Sequence, residues 1–109
     1  NSRPIIWRSR VGEERLLELP VHTGDATLTN VLGLHARAAA RLVHVACRFQ
    51  SRITLSKEGR TVDAKSILGV LMLTGTAGDR LVISAQGGDA EEAVAALQAL
   101  IRSRFGESR

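Results

Sequence analysis

The strongest constraint on the fold lies near the end of the chain. Ala90, Ala93, Val94, Leu97, Leu100, Ile101 and Phe105 recur at helical spacing, which gathers them on one stripe of a helix of about four turns. Such a stripe is stable only against a second apolar layer. The preceding chain supplies one in pieces. Residues 26–29, 53–56, 61–64 and 80–85 are short runs rich in alternating or β-branched residues, each ended by turn residues, and they read as four strands. Lys57-Glu58-Gly59-Arg60 reads as a hairpin turn in which Gly59 supplies the positive φ.

Two further helices fall between the strands, at about 36–48 and 67–73. Ser66 is placed to cap the second and Gly75 to end it. Asp89, with Glu92 three positions on, reads as a capping box that opens the last helix. The order is β-α-β-β-α-β-α. With right-handed crossovers all three helices lie on one face of a four-stranded antiparallel sheet. The expected fold is therefore α+β, a two-layer open-faced β-sandwich.

In the first helix, Leu42, Val43, Ala46 and Cys47, followed by Phe49, form the expected core stripe, with Arg37, Arg41, His44 and Arg48 outside it. Cys47 is thus expected as a small buried hydrophobe, and His44 as a solvated residue. As the sole cysteine, Cys47 has no partner for an intramolecular disulfide, and a reducing cytoplasm is the natural location. The chain has 109 residues, 44% of them apolar, which suits one domain with one core. No apolar run reaches the ~18 residues that span a bilayer, and no secretion signal is recognisable near the start, so neither export nor membrane insertion is expected.

Residues 1–24 read as an N-terminal extension and 25–109 as the domain. The extension contains the apolar cluster Pro4-Ile5-Ile6-Trp7 and a stretch from 14 to 19 that fits either one helical turn or an irregular strand, ended by Pro20. A flexible or loosely docked segment is the preferred reading. The alternative makes Ile5 and Trp7 an anchor on the domain surface or on a neighbouring chain. His22 is expected on the surface rather than as a ligand, and no metal site is expected.

The chemistry concentrates at Gly33-Leu34-His35-Ala36-Arg37-Ala38. A glycine breaks the strand, and an imidazole follows at the first turn of an alanine-rich helix. Unpaired N–H groups and the positive end of the helix dipole meet there, which favours an anion. No acidic residue occurs between Asp25 and Glu58, whereas Arg37, Arg41, Arg48, Arg52 and Lys57 do. The field around His35 is therefore expected to be positive. A sequence pI near 10.6 raises nucleic-acid binding as a rival, but aromatics are only 3% of the chain and no RNP-like aromatic motif occurs.

Gly33-Leu34-His35-Ala36-Arg37 resembles the active-site signature of the HPr family, the histidine-containing phosphocarriers of the bacterial phosphotransferase system. Asp63-Ala64-Lys65-Ser66-Ile67-Leu68-Gly69-Val70-Leu71-Met72-Leu73 resembles that family's second signature. The resemblance spans about residues 25–105 and implies the same open-faced sandwich. It implies that His35 is phosphorylated through the ring nitrogen nearer the backbone, with Arg37 beside it. Phosphate would come from enzyme I, charged by phosphoenolpyruvate, and pass to an A-type protein or domain of an enzyme II. It also implies that Ser66 is the target of an HPr kinase/phosphorylase, although helix capping alone accounts for a serine there. Ala36, Ala38, Ile67, Leu68 and Leu71 would belong to the partner-binding face, with at least one of the last three packing inward. No cofactor is implied, and the protein would act as a carrier rather than a stand-alone enzyme.

The family's usual pattern has proline where this chain has Ala38. That departure, with the 66–73 segment, resembles the nitrogen-related (NPr-type) branch rather than the sugar-transport branch. The alternative function is an HPr-like regulatory binding module that transfers nothing.

Overall fold

Strands and helices follow one another in the expected order. The computed structural model describes residues 19–108. Strand β1 is Val21–Thr27, helix α1 Ala36–Ala46, β2 Arg52–Lys57, β3 Arg60–Asp63, α2 Ile67–Met72, β4 Arg80–Gln86 and α3 Ala90–Arg102, followed by a 3-10 turn at Arg104–Gly106. The sheet order is β1-β4-β2-β3, and every neighbouring pair is antiparallel. The reading of Ile5 and Trp7 as an anchor, and that of residues 14–18, lie outside the described residues.

The period of two along the strands divides the sheet into a core face and an open face. Leu81, Ile83 and Ala85 of β4, Ile53 and Leu55 of β2 and Ala26 of β1 are buried toward the helices. The alternate positions form the open face and include polar pairs, Thr23 opposite Ser84 and Ser84 opposite Thr54. Against the buried face lie Ala38, Ala39, Leu42, Val43 and Ala46 of α1, Val70 of α2, and Ala90, Ala93, Val94, Leu97 and Ile101 of α3. Leu100 is only partly buried, at the margin of the core.

The structure corrects several local expectations. Strand β1 starts at Val21, which pairs with Gln86, so residues 21–24 belong to the sheet rather than to an extension. It ends at Thr27, after which Leu28 turns into the core and its amide bonds the Asp79 carbonyl at 2.8 Å. Helix α1 stops at Ala46, and Cys47 is its exposed C-cap. The buried positions 38, 39, 42, 43 and 46 continue geometrically to 49 rather than 47, so Phe49 packs against the core while Cys47 faces out.

Past α2, the left-handed residue is Thr74, with φ 54°, and not Gly75. Gly75 is needed for space: a Cβ there would stand 2.8 Å from both Leu28 and Leu34 side chains. Asp89 flanks α3 but makes no capping hydrogen bond to it. Its carboxylate instead accepts from the amides of Gln50 at 2.9 Å and Ser51 at 3.0 Å, and from the Ser51 hydroxyl. These bonds hold the Asp89 carboxyl below its usual range, the Ser51 hydroxyl contributing most. They pin the loop between α1 and β2 to the start of α3.

Candidate functional site

The loop from Leu28 to Leu34 delivers His35 to the amino end of α1. Its geometry depends on Gly33, which adopts φ 62°. A side chain there would be strained and would press on the backbone of Gly75 and Thr76. This close approach lets the Leu34 amide bond the Gly75 carbonyl at 2.9 Å, while the buried Leu34 side chain anchors the loop in the core. Asn30, fully buried, donates from Nδ2 to the Gly33 carbonyl at 2.8 Å.

His35 is the N-cap of α1, in extended backbone at φ −73° and ψ 176°. Its carbonyl accepts the Ala39 amide at 2.8 Å, beginning the helix. Its Nδ1 accepts from the Arg37 amide at 3.3 Å, so the ring itself fills the capping role usually played by Ser, Asp or Asn. The imidazole is only partly exposed. Ala36 and Arg37 are exposed beside it. Among the described residues, Arg37 enters no ion pair.

The surroundings of His35 are not free of acid, as its own sequence neighbourhood suggests. Glu107 returns from 72 residues away and places its carboxylate on Nε2, at 2.9 and 3.0 Å from the two oxygens. Asn30 Nδ2 also donates to Glu107 Oε1, at 3.0 Å. The hydrogen bond from His35 is the main cause that holds the Glu107 carboxyl below its usual range, against the opposing effect of burial; the charge of His35, the Asn30 amide and Arg41 add to it. An ionised carboxylate only accepts. Nε2 is therefore the donor of this contact, and whenever the ring is neutral its lone pair is on Nδ1, where the Arg37 amide donates.

The turn after α3 aims Glu107. Arg104, Phe105 and Gly106 all have positive φ, at 58°, 56° and 77°. Phe105 is buried, and the Arg41 guanidinium donates to its carbonyl. The Glu107 amide closes the turn onto the Arg104 carbonyl at 2.9 Å. A buried aromatic side chain thus fixes a tight left-handed bend whose next residue meets the imidazole.

The signature described as the PTS HPr component phosphorylation site matches residues 22–103. This chain belongs to the HPr family of phosphocarriers of the phosphotransferase system. The phosphocarrier protein HPr of Cupriavidus necator is 51% identical over 83 residues, covering 76% of this chain and 93% of that protein. The phosphocarrier protein NPr of Shewanella violacea is 39% identical over 84 residues, covering 77% and 92%. The crystal structure of an HPr from Thermoanaerobacter tengcongensis superimposes with a TM-score of 0.78 at 42% identity, covering 81% of this chain and 99% of that one. HPr structures share the four-stranded sheet and three helices seen here.

The residues expected at the site divide in two. His35, Ala36 and Arg37 come together at the exposed start of α1. Ala38 does not join them: it is 1% exposed, because position 38 already lies on the core stripe, so its side chain offers a partner nothing. Ser66 caps α2, its hydroxyl accepting from the Gly69 amide at 3.0 Å. Ile67 and Leu68 are exposed, while Leu71 packs partly against the core and is the inward-facing member of the three. Val31, Leu32 and Met72 are exposed as well, at 67%, 67% and 62%. No helix among the described residues is long and apolar enough to cross a membrane.

Proposed function

We propose that His35 is the phosphoryl acceptor and that Nδ1, the ring nitrogen nearer the backbone, carries the group. The observation that supports this most directly is the Glu107 carboxylate at 2.9 and 3.0 Å from Nε2: a carboxylate accepts, so it favours a proton on Nε2 and leaves the lone pair of the neutral ring on Nδ1. That lone pair lies at the amino end of α1, beside the Arg37 amide. The Nδ1 lone pair gives up its hydrogen bond from the Arg37 amide and attacks phosphorus, and the bond to the donor breaks with its electron pair returning to the donor. The new P–N bond puts three anionic oxygens near the helix amides, which favour them by roughly 0.3–2 kcal/mol. Arg37 is the flexible cation that accompanies the group. This modest stabilisation suits a carrier, which must release what it accepts. Positioning and charge neutralisation from each partner enzyme supply the rest.

The donor in this reading is phosphorylated enzyme I, and the acceptor is an A-type protein of the enzyme II class, in the cytoplasm. Relatives named HPr and NPr both resemble the chain, so acceptors of the sugar arm and of the nitrogen-related arm are both candidates. Ala36, Ile67, Leu68 and the outer edge of Leu71 form the contact face. Phosphorylation of Ser66 by an HPr kinase/phosphorylase would add about two negative charges at the start of α2, next to exposed Ile67 and Leu68, and would oppose docking of an apolar or acidic partner face.

Incubation with enzyme I and phosphoenolpyruvate tests the reading. Wild type gains one acid-labile phosphoryl group and passes it to an A-type protein, whereas His35→Ala gains none. A His35→Ala protein that is still loaded to the same extent overturns the assignment. A wild type that binds its partners without being loaded favours the non-transferring module.

A further inference from the structure

Glu107 lies beyond the stretch matched by the family signature, which ends at residue 103, yet it makes the closest polar contacts to the His35 ring. We propose that Glu107 is a positioning residue that keeps Nε2 protonated in both the empty and the phosphorylated carrier, and so sets how readily the P–N bond gives up its phosphoryl group. The proposal rests on the reading of His35 as the phosphoryl acceptor.

Charge distinguishes the empty from the loaded ring. The ring that attacks is the neutral one, with its proton on Nε2. When Nδ1 bonds to phosphorus, that proton stays in place and the ring becomes a cation. A carboxylate at 2.9 and 3.0 Å from Nε2 is more favourable for this state than for the neutral ring. No proton has to leave as the phosphoryl group arrives. On donation, Nδ1–P breaks, the electron pair returns to Nδ1, and a neutral imidazole departs. Had Nε2 lost its proton, the leaving group would be an imidazolate anion, which is far poorer. The carboxylate therefore keeps the bond in its labile form.

The geometry makes this a built contact. Both carboxylate oxygens face Nε2, and Oε1 also accepts from the fully buried Asn30. The left-handed turn at 104–106, anchored by the buried Phe105, directs Glu107 to the ring. Charged groups from the described residues act on the pair. Arg37 and Arg41 come from α1, and Arg41 acts on Glu107. The segment packed beside α1, Ile67–Met72, has no titratable side chain.

Glu107→Gln tests the proposal, since the amide preserves size and a hydrogen-bond acceptor while removing the charge. Two readouts apply to the full chain. Nitrogen-15 NMR of the unphosphorylated proteins reports the His35 tautomer, and wild type is expected to carry the proton on Nε2. The lifetime of the phosphorylated proteins is then followed without any acceptor. At mildly alkaline pH the Gln variant is expected to hold its phosphoryl group about threefold to tenfold longer, the effect of replacing a charged hydrogen-bond acceptor by a neutral one. At acid pH the two lifetimes converge, because both rings are then protonated. A merely structural contact would not produce a pH-dependent difference. Equal lifetimes at both pH values, or an Nδ1–H tautomer in wild type, overturn the proposal. If neither protein is loaded on His35, the acceptor assignment itself fails, which is a separate result.

Discussion

Gly33 and Gly59 both adopt positive φ, at 62° and 83°, but in different surroundings, and this contrast yields a quantitative test. An alanine at Gly59 would meet nothing within 4 Å. Gly59→Ala should therefore cost only the left-handed backbone term, roughly 1–2 kcal/mol. An alanine at Gly33 meets the same term and also stands 2.9 Å from Thr76 Cα, with the Gly75 carbonyl closer still. Those neighbours are backbone and cannot rotate away, so relief requires the 75–76 segment to move. Overpacking of this kind adds about 1–3 kcal/mol, for a total of about 2–5 kcal/mol. In a domain of this size that lowers the melting temperature by about 10 °C or more. The shift also separates Leu34 from its bond to Gly75, so phosphorylation by enzyme I should slow in Gly33→Ala and stay near wild type in Gly59→Ala. Urea unfolding and calorimetry of both variants, with loading rates measured on the folded proteins, decide the matter. Equal stability losses in the two variants would refute the claim that Gly33 is required for close backbone approach.

Two further outcomes concern stability alone. Ser66→Ala removes the cap that the Gly69 amide uses at 3.0 Å and should cost about 0.5–2 kcal/mol in urea unfolding; no loss would mean that the cap contributes nothing in this short helix. Asp79 is held down to about 2, first by its bond to Lys57 and then by the Thr76 amide and hydroxyl. Its carboxyl is depressed on folding, so its contribution is present above the ordinary carboxylate range and is lost as pH falls toward about 2. Asp79→Asn should thus be less stable than wild type at neutral pH, with the gap closing on acidification; a gap that stays constant in melts across this range would contradict the assignment.

The elements that the sequence revealed are those governed by short-range periodicity. The α3 stripe and the alternating strands were legible because each residue's face follows from its neighbours. The errors share a different cause. Cys47 fits the helical spacing from Val43, but Val43 lies at the margin of the buried stripe and Cys47 falls outside it. Asp89 carries a capping pattern, yet a loop 38 residues earlier in the chain takes its carboxylate. Gly75 looked like a helix terminator and is instead a point of contact between the loop and two leucines. Within the candidate site, His35 and Arg37 were legible as a local motif, and Ala38 was misplaced onto the partner face. Glu107 left no local signal, since its meeting with His35 depends on three successive positive-φ residues and a buried phenylalanine, two of those three being non-glycine residues that disfavour such backbone.

In the loaded carrier, phosphorus is expected on one particular nitrogen. Phosphorus–nitrogen coupling in the NMR spectrum of the loaded, nitrogen-15-labelled protein measures this directly. A coupling from phosphorus to His35 Nδ1, with Nε2 still bearing its proton, is the predicted result. Phosphorus on Nε2, or on any residue other than His35, would contradict it.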